Sequence, residues 1–276
     1  MDLSDKVVFV TGGSRGIGLA ASRLFAQKGA HVALFARDAQ KLENAALEVS
    51  QCRARESQRV FHLSADVSDR VAVSVALEQA VAHMGVPDVL FNCAGRALPR
   101  AFEEVSFAQF DETIKINLYG TWNTVTAMAP LMKGRGGVIV NTASVAGLVG
   151  VFGYTDYCAS KFAIIGFSEA LRGELSPHGV RVQVLCPPDT DTPGFACENQ
   201  TKPEETRAIS ANAKLLSAQD VANALVRGMG GGSFLIIPGF DGKLTWLTKR
   251  LFPSLVSYVM DRAVTKVQQT GKDGKT

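Results

Sequence analysis

Seven short apolar runs, separated by longer segments of helical period, constrain this chain more than any other feature. The runs are residues 6–10, 31–35, 60–64, 89–92, 137–141, 181–186 and 234–237. They are rich in Val, Ile, Leu and Phe, as strands covered on both faces must be. Between them, residues 16–28, 39–50, 69–84, 107–132, 155–176 and 218–229 carry the period of helices. Ser68-Asp69 and Ser217 stand where helix starts are expected, because their side-chain oxygens can accept from first-turn N–H groups. Repeated strand-helix-strand order predicts an α/β fold, a doubly wound parallel sheet of about seven strands with helices on both faces.

No linker rich in Pro, Gly or Ser divides the body, so residues 1–240 are expected to form one domain. Residues 187–216 interrupt the alternation as a substrate loop, and residues 241–276 form a basic, partly apolar tail. That tail carries five Lys and two Arg from position 243 onward against two Asp, in a chain whose net charge is only +3. So small a balance argues against a nucleic-acid partner held by phosphate neutralisation. The five cysteines (Cys52, Cys93, Cys158, Cys186, Cys197) are irregularly spaced without Cys-x-x-Cys, and the four histidines are scattered. Neither a disulfide framework nor a metal site is expected, and a reducing compartment fits. No signal-peptide pattern precedes the first strand, and no run of about 20 apolar residues exists to span a membrane. A cytoplasmic location is expected.

The first strand runs into Thr11-Gly12-Gly13-Ser14-Arg15-Gly16-Ile17-Gly18 and then a helix. A glycine loop in that position presents backbone N–H groups and the positive helix end to a pyrophosphate, and it predicts a Rossmann-like dinucleotide site over Gly12, Ser14, Arg15, Gly16, Ile17 and Gly18. The end of the second strand selects between dinucleotides. It reads Ala36-Arg37-Asp38, without the acid that would take the ribose hydroxyls of NADH at the strand's last position. Arg37 and Arg15 can clamp a 2′-phosphate, which favours NADPH/NADP, while Asp38 reads as the cap of the next helix.

Tyr157 and Lys161 stand four apart and share a face of one predicted helix. A free phenol titrates at about 10. A nearby ammonium is expected to lower it, so that Tyr157 can give a proton to a carbonyl oxygen as a hydride reaches the carbon. Tyr154 is the rival phenol, but its partner four residues on is Cys158, which supplies no cation. Ser144, at the end of the fifth strand, offers a hydroxyl to polarise the same oxygen. Asn117, inside a long apolar helix, can satisfy backbone groups and hold a water behind Lys161.

Together these residues resemble the classical short-chain dehydrogenase/reductase family across about residues 5–240. The resemblance places Asn117, Ser144, Tyr157 and Lys161 in the catalytic tetrad. It also implies that Lys161 and Tyr157 touch the cofactor and that Asp66 and Val67 hold adenine. Asn92-Cys93-Ala94-Gly95 matches an element that mainly stabilises the central sheet, with Asn92, Ala94 and Gly95 bordering the cofactor. Pro187 and Thr192 fall where the family contacts the nicotinamide, although Pro187-Pro188 replaces the usual Pro-Gly. The stretch 187–206, with Phe152-Gly153-Tyr154 and residues 160–164, is similar to the branch of the family that reduces long-chain sphingoid-base ketones with NADPH. Such a substrate carries an amine, for which Asp189, Asp191 and Glu198 are candidate partners. The resemblance further implies a homo-oligomer.

A lipidic substrate suggests work at a membrane surface. Residues 244–260 mix bulky apolar side chains with Lys249 and Arg250, as an interfacial segment does. A lid over the pocket and a subunit contact compete with that reading. Two other functions remain open at this stage: a reductase for another lipophilic carbonyl (retinoid, steroid or 3-oxoacyl), and a non-catalytic dinucleotide-sensing regulator.

Overall fold

A computed structural model describes residues 1–211 and 213–273, with side chains to residue 270. Seven parallel strands make the main sheet: β1 (Val7–Thr11), β2 (His31–Ala36), β3 (Val60–Ser64), β4 (Val89–Asn92), β5 (Gly137–Thr142), β6 (Val180–Leu185) and the short β9 (Leu235–Ile236). Their spatial order is β3-β2-β1-β4-β5-β6-β9. The chain therefore winds outward one way from β1 and then returns to wind the other way from β4. At that switch the loops leaving β1 and β4 diverge and open a crevice at the strands' C-terminal ends.

Residues of one strand alternate between two cores. Val8 and Val10 of β1 pack with Phe25 of α1 (Gly16–Gln27), Leu42 of α2 (Ala39–Gln51) and Leu225 of α9 (Ala218–Gly231). Val7 and Phe9 pack on the other face with Leu77 of α3 (Arg70–Met84), Met128 of α5 (Gly120–Met132) and Phe167 of α6 (Thr155–Leu175). Both faces of the central strands are thus dry, which is why those sequences lack a polar side, whereas the edge strand β3 exposes His62 and Ser64. The helix starts are capped as their sequences suggest. Asp38 accepts from the Lys41 N–H, Asp69 from Val71 and Ala72, and Ser217 forms a reciprocal capping box with Asp220.

Residues 107–132 are helical throughout but not uniformly so. A π-helical turn at Lys115–Tyr119 separates α4 (Phe107–Ile114) from α5. The loop between β6 and α9 holds a two-residue parallel ladder of β7 (Thr190–Asp191) with β8 (Leu216–Ser217), and two helices, α7 (Pro193–Thr201) and α8 (Glu204–Ser210). The C-terminal segment is helical too: α10 (Phe240–Leu251) and α11 (Pro253–Asp273), with Pro253 at the start of the second. Among the described residues no helix is long and apolar enough to cross a membrane.

Candidate active site

A cleft of about 690 Å³ opens at the C-terminal ends of β1, β4 and β5. Its dinucleotide end is built from the turn after β1. Thr11 Oγ1 accepts from the N–H groups of Cys93 and Ala94, tying that turn to the end of β4. Gly12 has a φ of +68°, and a Cβ there would lie 2.8 Å from the Ala94 backbone. A Cβ on Gly18 would lie 2.2 Å from the Gly12 carbonyl oxygen. Only glycine permits this approach of loop to helix. The first residue before α1, Arg15, makes no side-chain cap, and the first turn holds no acid. Its uncapped N–H groups and positive end therefore fit a pyrophosphate.

Ser14, Arg15, Gly16 and Ile17 line this end together with Gly12 and Gly18. Arg37, Asp66 and Val67 line the continuation toward β2 and β3, and Ala94 and Gly95 the floor. Arg37 is exposed and pairs with Asp66 Oδ2 at 3.5 Å. Burial raises the Asp66 carboxyl, but hydrogen bonds from Ser68 and the Arg37 charge outweigh it and hold the group low. Asp38 is engaged with Lys41 through both its backbone N–H and its ammonium. Val67 is fixed from behind, since Asn123 donates to its carbonyl oxygen at 2.9 Å and Gly120 leaves room for its side chain. Asn92 departs from its expected place beside the cofactor. Its amide donates to Asn141 Oδ1 at 2.9 Å and accepts from Thr124, so it braces β4 against β5 and α5 instead of lining the cleft.

The reacting end gathers Ser144, Tyr157 and Lys161. Ser144 follows β5 in extended conformation, accepts from Ala146 N–H and donates to the Pro187 carbonyl. Tyr157 and Lys161 occupy the first two turns of α6, with the Lys161 ammonium 5.5 Å from the phenol ring centre. Lys161 is buried and donates to the Thr142 carbonyl at 2.9 Å. Asn117 stands behind this group rather than on the cleft wall. Its side chain accepts from Arg96 N–H and donates to both the Arg96 carbonyl and Ser160 Oγ. Thr192 packs over Gly16 and caps α7 by accepting from Phe195 N–H, leaving its own hydrogen free to donate. Pro187 lines the same wall.

The electrostatics correct one expectation. Burial pushes the Tyr157 phenol up, and the Glu198 carboxylate adds to that shift, while hydrogen bonding with Ser144 pulls the other way. Lys161, 5.5 Å from the ring centre, does not offset that rise, and its own burial lowers it to about 8. Loss of hydration outweighs an ammonium held at this distance. A phenol so placed keeps its proton, which is the form a ketone reduction consumes.

Three contributors were not visible in the spacing of motifs. Asp156, buried, accepts from Gln109, Thr113 Oγ1 and the Tyr157 N–H, and so fixes the start of α6 against α4. Tyr154 donates its hydroxyl to Glu198 of α7 at 2.9 Å, with its ring 5.5 Å from that of Tyr157. Asp241, Gly242, Thr245 and Met260 of the C-terminal helices complete the cleft wall. Of the other two candidate acids, Asp189 lines the cleft and Asp191 does not.

The family model for short chain dehydrogenases matches residues 6–203. The chain is 42% identical to a 3-ketodihydrosphingosine reductase of Bos taurus over 85% of its own length and 71% of the relative's. It is 41% identical to a 3-dehydrosphinganine reductase of Danio rerio over 88% of this chain and 74% of that one. Among solved structures, a short chain dehydrogenase/reductase from Burkholderia phymatum in complex with NAD superposes with a TM-score of 0.81, at 25% identity, covering 92% of this chain and 96% of the other. With the glycine turn, the switch-point crevice and the Ser-Tyr-Lys group in one cleft, this chain belongs to the short-chain dehydrogenase family.

Proposed function

We propose that this chain reduces the 3-keto group of 3-ketodihydrosphingosine to dihydrosphingosine with NADPH, as a step of sphingolipid synthesis. The observation that carries the reading is the meeting of Ser144, Tyr157 and Lys161 in the cleft that begins at the glycine turn. The likeness to the bovine and Danio rerio reductases over most of the chain supports the substrate. A nicotinamide dinucleotide, when bound, supplies the hydride. Ser144 and Tyr157 hold the ketone oxygen, and Tyr157 gives it a proton as negative charge develops there. Lys161, its ammonium 5.5 Å from the phenol ring, is placed to balance the charge left on the phenol once that proton has gone. Asn117 keeps the helix behind it in register.

The preference for NADPH rests on two features. Arg15 and Arg37 line the end of the cleft beyond β2, and of the two acids near that strand end Asp38 is occupied with its helix and Asp66 with Ser68 and Arg37. The tail supports work at a membrane surface in the cytoplasm. Phe240, Leu244, Leu247 and Leu251 of α10, Phe252 between the helices and Leu255 of α11 are exposed, beside Lys249 and Arg250. Half-exposed Tyr119, Trp122 and Phe162 support a homo-oligomer.

The test is consumption of NADPH by the purified protein with 3-ketodihydrosphingosine, against retinoid, steroid and 3-oxoacyl carbonyls. One dihydrosphingosine per NADPH is expected. Turnover of another carbonyl alone moves the substrate, and no turnover with any carbonyl favours the dinucleotide-sensing regulator. In the same assay Arg37→Asp should lower the preference for NADPH over NADH by about tenfold or more, the scale of one charge-assisted contact.

A further inference from the structure

The wall facing Tyr157 is not electrically neutral. Glu198 is half-buried on the cleft side of α7, and its carboxylate accepts the Tyr154 hydroxyl. Among the described residues no other hydrogen bond reaches it. The nearest lysine, Lys202, is buried at the base of the same wall and committed elsewhere. Its ammonium lies 3.5 Å from Asp189 Oδ2 and 4.4 Å from the centre of the Phe195 ring. A carboxylate withdrawn from water needs a cation or several donors to remain charged. With one phenol as donor, burial raises Glu198 above the ordinary carboxylate range, despite Tyr154, Lys202 and Lys161, and with Asp189 adding to the rise. The same carboxylate is close enough to Tyr157 to raise its phenol.

We propose that Glu198, anchored by Tyr154, receives the ammonium at C2 of the substrate and thereby selects a 2-amino ketone over a plain ketone. The inference rests on the reading above, in which the ketone oxygen lies at Ser144 and Tyr157. In a 2-amino-3-ketone a single carbon separates the carbonyl carbon from the nitrogen. An oxygen held at Tyr157 therefore brings the ammonium to the neighbouring wall of α7, where among the described residues no cation is in contact with Glu198. Asp189 already has Lys202, and Asp191 lies outside the cleft. The pairing has a second effect. An ammonium on Glu198 offsets the carboxylate's addition to the rise that burial imposes on Tyr157, so the phenol becomes a better donor when an amine is bound.

The experiment compares kcat and KM for 3-ketodihydrosphingosine and for its analogue lacking the amine, in wild type and Glu198→Gln, under one detergent condition. Glutamine still accepts from Tyr154, so the loop keeps its anchor, and dinucleotide binding reports that the variant is folded. Wild type should prefer the amino ketone by about tenfold or more in kcat/KM. The variant should lose about 10- to 100-fold of that ratio, mainly through KM for the amino ketone, as expected for one charge-assisted contact. N-acetylation of the substrate amine should produce the same loss in wild type with no mutation. Equal use of both ketones by wild type overturns the proposal. So does a variant that retains the preference, or one that slows both ketones equally, which marks a structural role. Reduction of neither ketone by wild type removes the sphingoid reading itself, and the amine site with it.

Discussion

Tyr157 holds its proton because the protein has stripped it of water, and that makes it a donor waiting for a base. Tyr157→Phe should lower kcat by about 10²- to 10⁴-fold, the range of a positioned acid, while dinucleotide binding measured by fluorescence titration is retained. Retained turnover would move the proton transfer to another group. The residue types were legible in the sequence, since phenol and amine four apart on a helix, after a strand ending in serine, leave few readings. The direction of the phenol's shift was not, because burial cannot be seen in spacing. Tyr154 shows the same limit. Its spacing offers no cation at i+4, yet its partner comes from α7, 44 residues away.

At the scale of elements, the strands of the main sheet were legible because their runs are short, rich in apolar residues and separated by longer segments of helical period, whereas the two-residue β7 and β8 are too short to leave a pattern. Boundaries differ from the expected ones by about a residue, since a strand's end is decided by its neighbours in the sheet. The long helix was legible only in outline. Its π turn at Lys115–Tyr119 lets Asn117 bond Arg96 and Ser160 at once. No periodicity announces such a turn, because apolar residues on both sides still face the core. Asn117→Ala would leave the Arg96 backbone groups without these partners in a partly buried place. It should cost about 1–3 kcal/mol, read as a lower midpoint in urea, together with a drop in kcat. An unchanged midpoint would mean that the turn is held without the amide.

For the molecule as a whole, the sequence marks off a basic, partly apolar tail and leaves a lid, a lipid contact and a subunit contact as its readings. Only the fold shows that Asp241, Thr245 and Met260 bend back over the cleft while the neighbouring Leu251 and Leu255 stay exposed. The full chain should co-sediment with vesicles containing anionic lipid. Leu251→Glu with Leu255→Glu should reduce the bound fraction about tenfold, because each removes a large apolar side chain and adds a like charge to the lipid's own. Equal sedimentation of variant and wild type would leave the tail as a lid alone.

The order of the cleft's parts along the chain has a consequence for its birth. The turn that receives the dinucleotide is made from residues 12–18, whereas Asp241, Thr245 and Met260 come near the end. A polypeptide still emerging from the ribosome therefore cannot complete either end of the cleft from its first strands alone, because Thr192 must come to pack over Gly16 and Asp241, Thr245 and Met260 must come to the far wall.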